Sequence, residues 1–222
     1  FADNIRIFLD VAHIGPDYIP GHAHADTLSF EMSFYGKRIF VNGGVSRYGT
    51  DIVRLEERGT SSHNTVKIND INSSEIWSGF RVARRARPFD LLTKQTDDFI
   101  FVSCKHDGYK HLTGNPIHQR SWMFSNKKLV IKDKIYGIFK LAKAYFLIHP
   151  DIKIISNSKT SWNLYIPKNS NYIKLTILKG LAKIKPSTYS PEFGIKLPTN
   201  CLIVSFDNLN EIEVEMSWSI NE

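Results

Sequence analysis

The sequence predicts an all-β protein, a large antiparallel β-sandwich of many short strands. Three observations carry this. Apolar and polar residues alternate with period two over most of the chain, the pattern of strands with one buried face. Turn-forming residues separate the alternating runs at short intervals, each with its own chemical reason to turn. Helical periodicity is nearly absent, and many short strands at regular spacing favour a sandwich.

The elements follow in chain order. Leu28, Phe30, Met32 and Phe34 alternate with Ser29, Glu31 and Ser33; the turn Tyr35-Gly36-Lys37 leads into Arg38-Ile39-Phe40-Val41, which completes a β-hairpin. Residues 50–57 read as a short helix or an ordered loop. Further strands are predicted over 65–68, 99–105, 119–124, 128–136, 142–148, 152–156, 161–166, 172–178, 182–186, 201–207 and 211–220. Gly43-Gly44, Asn126-Lys127, Asn157-Ser158 and Asn208-Leu209-Asn210 supply turns. The polar, Pro-containing stretch 185–199 reads as a loop. No repeat, low-complexity tract or linker divides the chain, so residues 1–222 form one domain.

The composition bounds the function. The chain has 222 residues, with 42% hydrophobic and 23% charged, ordinary for a globular protein and unlike a disordered one. No apolar run approaches the roughly 18 residues of a membrane span. The start, Phe1-Ala2-Asp3-Asn4, has neither the basic nor the apolar region of a signal peptide. It reads as the middle of a longer protein cut at a domain boundary. Cys104 and Cys201 form no disulfide framework or zinc motif; two free buried thiols are expected, one bridge being the alternative. The net charge of +7 suits an anionic partner, with one compact basic cluster at 81–87. No RNP, KH or zinc-finger pattern points to nucleic acid.

The chemistry concentrates in residues 21–87. Gly21-His22-Ala23-His24-Ala25-Asp26 runs into the first strand. In an extended chain His22, His24 and Asp26 share one face, in line with Leu28 and Phe30. Imidazole and carboxylate suit a metal, and imidazole also suits proton transfer near neutral pH. Asp26 reads as a partner that fixes a histidine tautomer rather than as a base. Downstream lie Val41-Asn42-Gly43-Gly44, then Ser62-His63-Asn64-Thr65-Val66, then Trp77-Ser78-Gly79-Phe80-Arg81. The paired glycines suit a backbone with positive φ. Arg58, Arg84 and Arg85 read either as forks for sulfate or carboxylate or as solvated surface groups. Trp77 and Phe80 read as core packing ahead of a sugar-stacking platform. His13, His106, His111, His118 and His149 have no spacing that singles them out.

This ordered series, GHAHADTLSF, VNGG and SHNTV, resembles the heparinase II/III C-terminal domain family. The tail fits it too: His118-x-Arg120, Asp133, and Tyr189-Ser190-Pro191-Glu192-Phe193-Gly194. The resemblance implies the β-sandwich domain of a polysaccharide lyase that cleaves uronic-acid-containing acidic polysaccharide by β-elimination. It implies His22 as catalytic histidine and His24, Asn42 and His63 at the ligand positions of a structural, zinc-like divalent metal. The family carries Asp where this chain has Asn42, which weakens the expected metal. An N-terminal helical toroid domain, absent from this chain, is the implied partner; without it only half of the active site is present and turnover is not expected. A periplasmic or secreted location is implied. The alternative is a non-catalytic carbohydrate-binding or structural module of a surface-polysaccharide pathway. Acidic polysaccharide is the expected partner; nucleic acid and a membrane span are not.

Overall fold

A computed structural model describes residues 4–167 and 171–218. In chain order the elements are β1 (Ile5–Leu9), β2 (Phe30–Phe34), β3 (Lys37–Phe40), the helix α1 (Ile52–Arg58), a 3-10 turn (Thr60–Ser62), β4 (Val66–Ile68), β5 (Ile76–Trp77), β6 (Arg81–Val82), β7 (Pro88–Gln95), β8 (Phe99–His106), β9 (Ile117–Ser125), β10 (Lys128–Tyr136), β11 (Ala142–Ile148), β12 (Lys153–Ser158), β13 (Ser161–Tyr165), β14 (Tyr172–Lys179), β15 (Leu181–Tyr189), β16 (Leu197–Ser205) and β17 (Glu211–Trp218). One sheet runs β1-β2-β3-β11-β16-β15, with β4 also on β11. The other runs β12-β13-β14-β17-β10-β9-β8-β7. β5 and β6 form a separate small hairpin. All strand pairs are antiparallel, so the predicted sandwich is the fold found.

The period-two pattern fills the space between the sheets. In β2, Phe30, Met32 and Phe34 are buried while Glu31 and Ser33 face outward. In β17, Ile212, Val214, Met216 and Trp218 do the same from the other sheet. Phe34 meets Trp218 across the interface at 5.9 Å between ring centroids, and Phe30 meets Phe146 of β11 at 6.1 Å. Each such buried side chain contributes about 1.5–3 kcal/mol, so this layer, not the turns, sets the register. Cys104 and Cys201 are both buried and free.

Several expectations are corrected. Of the predicted loop 185–199, only 190–196 joins two strands, for β15 pairs with β16 from Leu181↔Ser205 to Tyr189↔Leu197. The run was hard to read because β15 is an edge strand with little buried surface, where Pro186 is tolerated. β1 and β7 carry no expectation in the sequence reading. β7 is exposed along almost its whole length and bulges between Phe89 and Leu92, with Asp90 at φ +54°, so no alternation marks it. The first hairpin strand begins at Phe30, not Leu28, because Leu28 sits at φ +62° and cannot continue a strand. The end of the predicted run 211–220 lies outside the described residues.

The topology leaves one break that matters for the site. β3 and β4 lie end to end along the same edge of β11: Phe40 pairs with Ile148, and Val66 to Ile68 with Ala144 to Ala142. Leu147 falls between them.

Candidate functional site

Asn64 splices the break. The Leu147 N–H donates to its Oδ1 at 2.6 Å, and its Nδ2 donates to the carbonyls of Phe30 at 2.7 Å and Val41 at 3.0 Å. Buried backbone groups demand partners, and a primary amide carries both an acceptor and two donors on one short side chain. Splicing the ladder with Asn64 fixes its neighbour His63. The Asn64 N–H in turn donates to Asn42 Oδ1 at 3.3 Å.

The His22–His24 segment is held by α1. Asp51 caps the helix, its Oδ1 accepting from the Arg54 N–H at 3.1 Å. At the other end, the Arg58 carbonyl accepts from the Ala25 N–H at 2.9 Å, and Arg58 Nε donates to the Ala23 carbonyl at 3.0 Å. Arg58 therefore staples the chain on both sides of His24. Its remaining donors go to the carbonyls of Ser78, Gly79 and Arg81, which ties in the β5–β6 hairpin. Arg58 is thus structural, not a sulfate fork. Gly79 is required there, since a Cβ would lie 2.2 Å from the Gly49 carbonyl oxygen. Gly44 is likewise required: it has φ +75°, and a Cβ would lie 1.9 Å from the Ser190 oxygen.

The turn separates His22 from His24, so the predicted shared face is corrected. His22 is exposed and stands edge-on to Tyr48 at 5.5 Å and Phe80 at 6.1 Å. His24 turns inward, where its Nδ1 lies 2.9 Å from His63 Nε2. His63 Nδ1 lies 2.8 Å from the Gly59 carbonyl oxygen. A carbonyl only accepts, so His63 carries its proton on Nδ1 and its Nε2 accepts from His24 Nδ1–H. Gly59, not Asp26, fixes the tautomer. Burial, reinforced by neighbouring His63, Arg54 and Arg58, pushes His24 down to about 2. Burial likewise pushes His63 down to about 4 against the pull of the Gly59 carbonyl. Both imidazoles are neutral at physiological pH. Asp26 and Asp10 are both pushed up to about 6, chiefly by burial.

Two of the three predicted metal ligands therefore come together. The third, Asn42, offers a neutral oxygen that the Asn64 N–H already engages. A zinc-type centre takes at least three protein ligands, usually imidazole, thiolate or carboxylate. Among the described residues no group of three or more His, Cys, Asp or Glu side chains is arranged to hold a metal ion. The residues as they stand do not fit such a centre.

Other predicted residues sit at the surface. Arg84 pairs with Glu75 at 3.2 Å and Arg85 with Asp17. Trp77 and Phe80 are 47% and 44% exposed, which corrects the core-packing expectation. Sequence reasoning missed Tyr48 and Arg54, which pack with Phe80 beside His22. His118, Arg120 and Asp133, marked only as the tail of the family series, join His106 in an unpredicted buried chain, His106–His118–Asp133–Arg120, that ends on the carbonyls of Leu28 and Asn64. The period-two pair His118 and Arg120, both on the inward face of β9, was its one available signal.

Known proteins share this fold. The family model described as heparinase II/III-like, C-terminal matches residues 2–219. The fold is similar to that of heparan sulfate lyase HepC from Pedobacter heparinus, with TM-score 0.79 and 15% identity over 97% of this chain and 33% of that one. A heparinase III structure is similar at TM-score 0.77 and 17% identity, over 96% of this chain and 33% of that one. The heparinase III BT4657 gene product with methylated lysines is similar at TM-score 0.72 and 20% identity, over 99% of this chain and 36% of that one. This chain thus spans about a third of the solved proteins it matches. No curated protein matches it. With the family model covering nearly its whole length, the chain belongs to the heparinase II/III-like C-terminal family.

Proposed function

We propose that this domain serves a lyase that cleaves uronic-acid-containing acidic polysaccharide by β-elimination. The observation that carries the reading is the setting of His22: an exposed imidazole on a stapled turn, between aromatic rings, in a domain of this family. In β-elimination a base removes the proton on C5, beside the uronate carboxylate. The electron pair forms the C4–C5 double bond, and the C4–O bond breaks as an acid protonates the leaving oxygen. The acidity of that C–H is low, so donors or positive charge must stabilise the enolate-like anion. His22 is the proton shuttle, since an imidazole can both take up and give a proton and its exposure leaves it open to a substrate.

His24, on the segment that carries His22, forms a hydrogen-bonded neutral pair with His63. With Asn42 at the third position, this chain holds a divalent ion only weakly, and no chemical step is assigned to one. The remaining catalytic groups come from an N-terminal helical domain of the longer protein, an assignment supported by the third of each relative that this chain spans. Alone, the domain has negligible turnover. The alternative of a non-catalytic carbohydrate-binding module is favoured by a single feature, Asn42.

The test is the full-length protein incubated with uronan polymers and followed by the ultraviolet absorbance of the unsaturated uronate. The expected result is product formation that falls at least about a hundredfold in His22→Ala. Binding without product, unchanged by that substitution, would support the non-catalytic alternative.

A further inference from the structure

Two buried arginines sit one turn apart on α1, and only one is satisfied. Arg58 distributes its three nitrogens over four backbone carbonyls. Arg54 is equally buried, at 0% exposure, yet only its Nε is bonded, to the Gly79 carbonyl at 3.1 Å. Its Nη1 and Nη2 are buried and have no hydrogen-bond partner. The nearby carboxylate, Glu57, is taken instead by the Ser46 N–H and hydroxyl. Burying charged donors without acceptors is costly, and an unmatched group of this kind calls for an explanation.

The cover over Arg54 supplies one. Its guanidinium lies 5.2 Å from the Tyr48 ring centroid and 5.6 Å from that of Phe80. These two rings are 50% and 44% exposed, one in a loop and one in the β5–β6 turn. The same two rings flank His22. The two free nitrogens thus lie beneath partly exposed rings that also flank the exposed histidine. A guanidinium fork matches a planar carboxylate with two parallel bonds and also accepts sulfate oxygens.

We propose that Arg54 is an anion-binding group, receiving the carboxylate or sulfate of an acidic sugar under Tyr48 and Phe80. The placement of that sugar beside His22 rests on the lyase reading, but the binding does not require turnover. The satisfied neighbour Arg58 provides the internal contrast: one arginine builds the hairpin, the other waits for an oxyanion.

The test is equilibrium binding of oligosaccharides to this chain and to its Arg54→Met and Arg54→Lys variants, with thermal unfolding of each. Two probes separate the sources of charge: a non-sulfated uronan and a sulfated glycan without uronate. Arg54→Met is expected to weaken binding of the favoured probe by about tenfold or more, and Arg54→Lys by less. The thermal midpoint of Arg54→Met is expected to hold or rise, because an unmatched buried charge is removed. Arg58→Met is the control and is expected to lose its fold. Binding is read on this chain without any turnover, which separates this proposal from the lyase reading. Unchanged binding in a folded Arg54→Met, no binding of either probe by the unaltered chain, or unfolding of both Arg54 variants would each overturn the proposal.

Discussion

The domain contains two histidine pairs of nearly the same geometry and opposite character. His106 Nε2 lies 3.1 Å from His118 Nδ1, and His24 Nδ1 lies 2.9 Å from His63 Nε2. The first pair is closed at both ends. The Gly108 N–H donates to His106 Nδ1, and His118 Nε2 donates to Asp133, which is held in turn by Arg120. Arg120 then donates to the carbonyls of Leu28 and Asn64. The four ionisable side chains of this chain are at most 1% exposed. Among the described residues the second pair is closed only at Gly59, and its other member, half-buried His24, lies two residues along the chain from exposed His22. Scaffold and site differ in where the chain of donors ends: on protein in one, at the surface in the other. They are also linked, since Arg120 grips the carbonyl of Asn64, the residue that positions His63.

The comparison breaks most visibly at Arg120. Replacing it with Met leaves Asp133 buried beside histidines that burial keeps neutral. Stranding one partner of a buried ion pair costs about 3–5 kcal/mol, a large share of the roughly 5–15 kcal/mol that holds a domain folded. Urea unfolding of Arg120→Met should show a loss of this size. Adding Asp133→Leu to it should recover part of the loss, because the stranded charge is gone. A double variant no more stable than Arg120→Met would show that the ion pair is not what Arg120 contributes.

Acid sharpens the same contrast. Burial alone would raise Asp133, but the Arg120 guanidinium and the His118 hydrogen bond outweigh it and hold the carboxyl at about 2. An unfolded aspartate titrates near ~3.9. The folded value is depressed, so the contribution is complete above about pH 5 and is lost as pH falls from there through about 2, in total about 2.5 kcal/mol. His106 and His118 are held below their ordinary range, chiefly by burial; they add stability above about 6.5 that is lost as pH falls, since the unfolded chain then binds more protons. Asp133→Asn is therefore expected to lag the unaltered chain at pH 5 and to close about 1 kcal/mol of that gap by pH 3. Denaturant titrations at the two values measure it, and a constant gap would mean that the Asp133 carboxyl titrates alike in the folded and unfolded chain.

How much of this was legible differs between the two regions. The sandwich was, because Phe30, Met32 and Phe34, or Val214 and Met216, need only alternate to declare a buried face. Edge strand β7 and the second half of edge strand β15 were not, because an exposed strand has no reason to alternate. At the site, the sequence marked His22, His24 and His63 by motif, but not the separation of His22 from His24, which depends on the turn at Gly21 and His22 and on Arg58 stapling the segment. Arg54 and Arg58 look alike in sequence; only the number of carbonyls within reach distinguishes them. The Arg120 chain joins residues from β8, β9 and β10, and no local pattern encodes that.

The smallest expected effect on the fold tests the open end of the outer pair. In Asn42→Asp the carboxylate keeps the acceptor used by the Asn64 N–H, and Glu31, which accepts from the residue 42 N–H at 3.4 Å, adds a like charge nearby. The stability cost should stay within about 0.5 kcal/mol. The gain lies elsewhere. A third, charged donor joins two neutral imidazoles; His63 already keeps its proton on Nδ1, so breaking the His24–His63 hydrogen bond frees the His63 Nε2 lone pair for a dication. Zinc titration should show affinity raised about tenfold or more in Asn42→Asp, and the gain abolished when His63→Ala is added. The inner pair gains nothing by comparison, because its nitrogens are spent on Gly108 and Asp133. If Asn42→Asp binds zinc no better than the unaltered chain, residue 42 does not face the nitrogens of His24 and His63, and the outer pair is a hydrogen-bonded support like the inner one, differing only in that it ends beside His22.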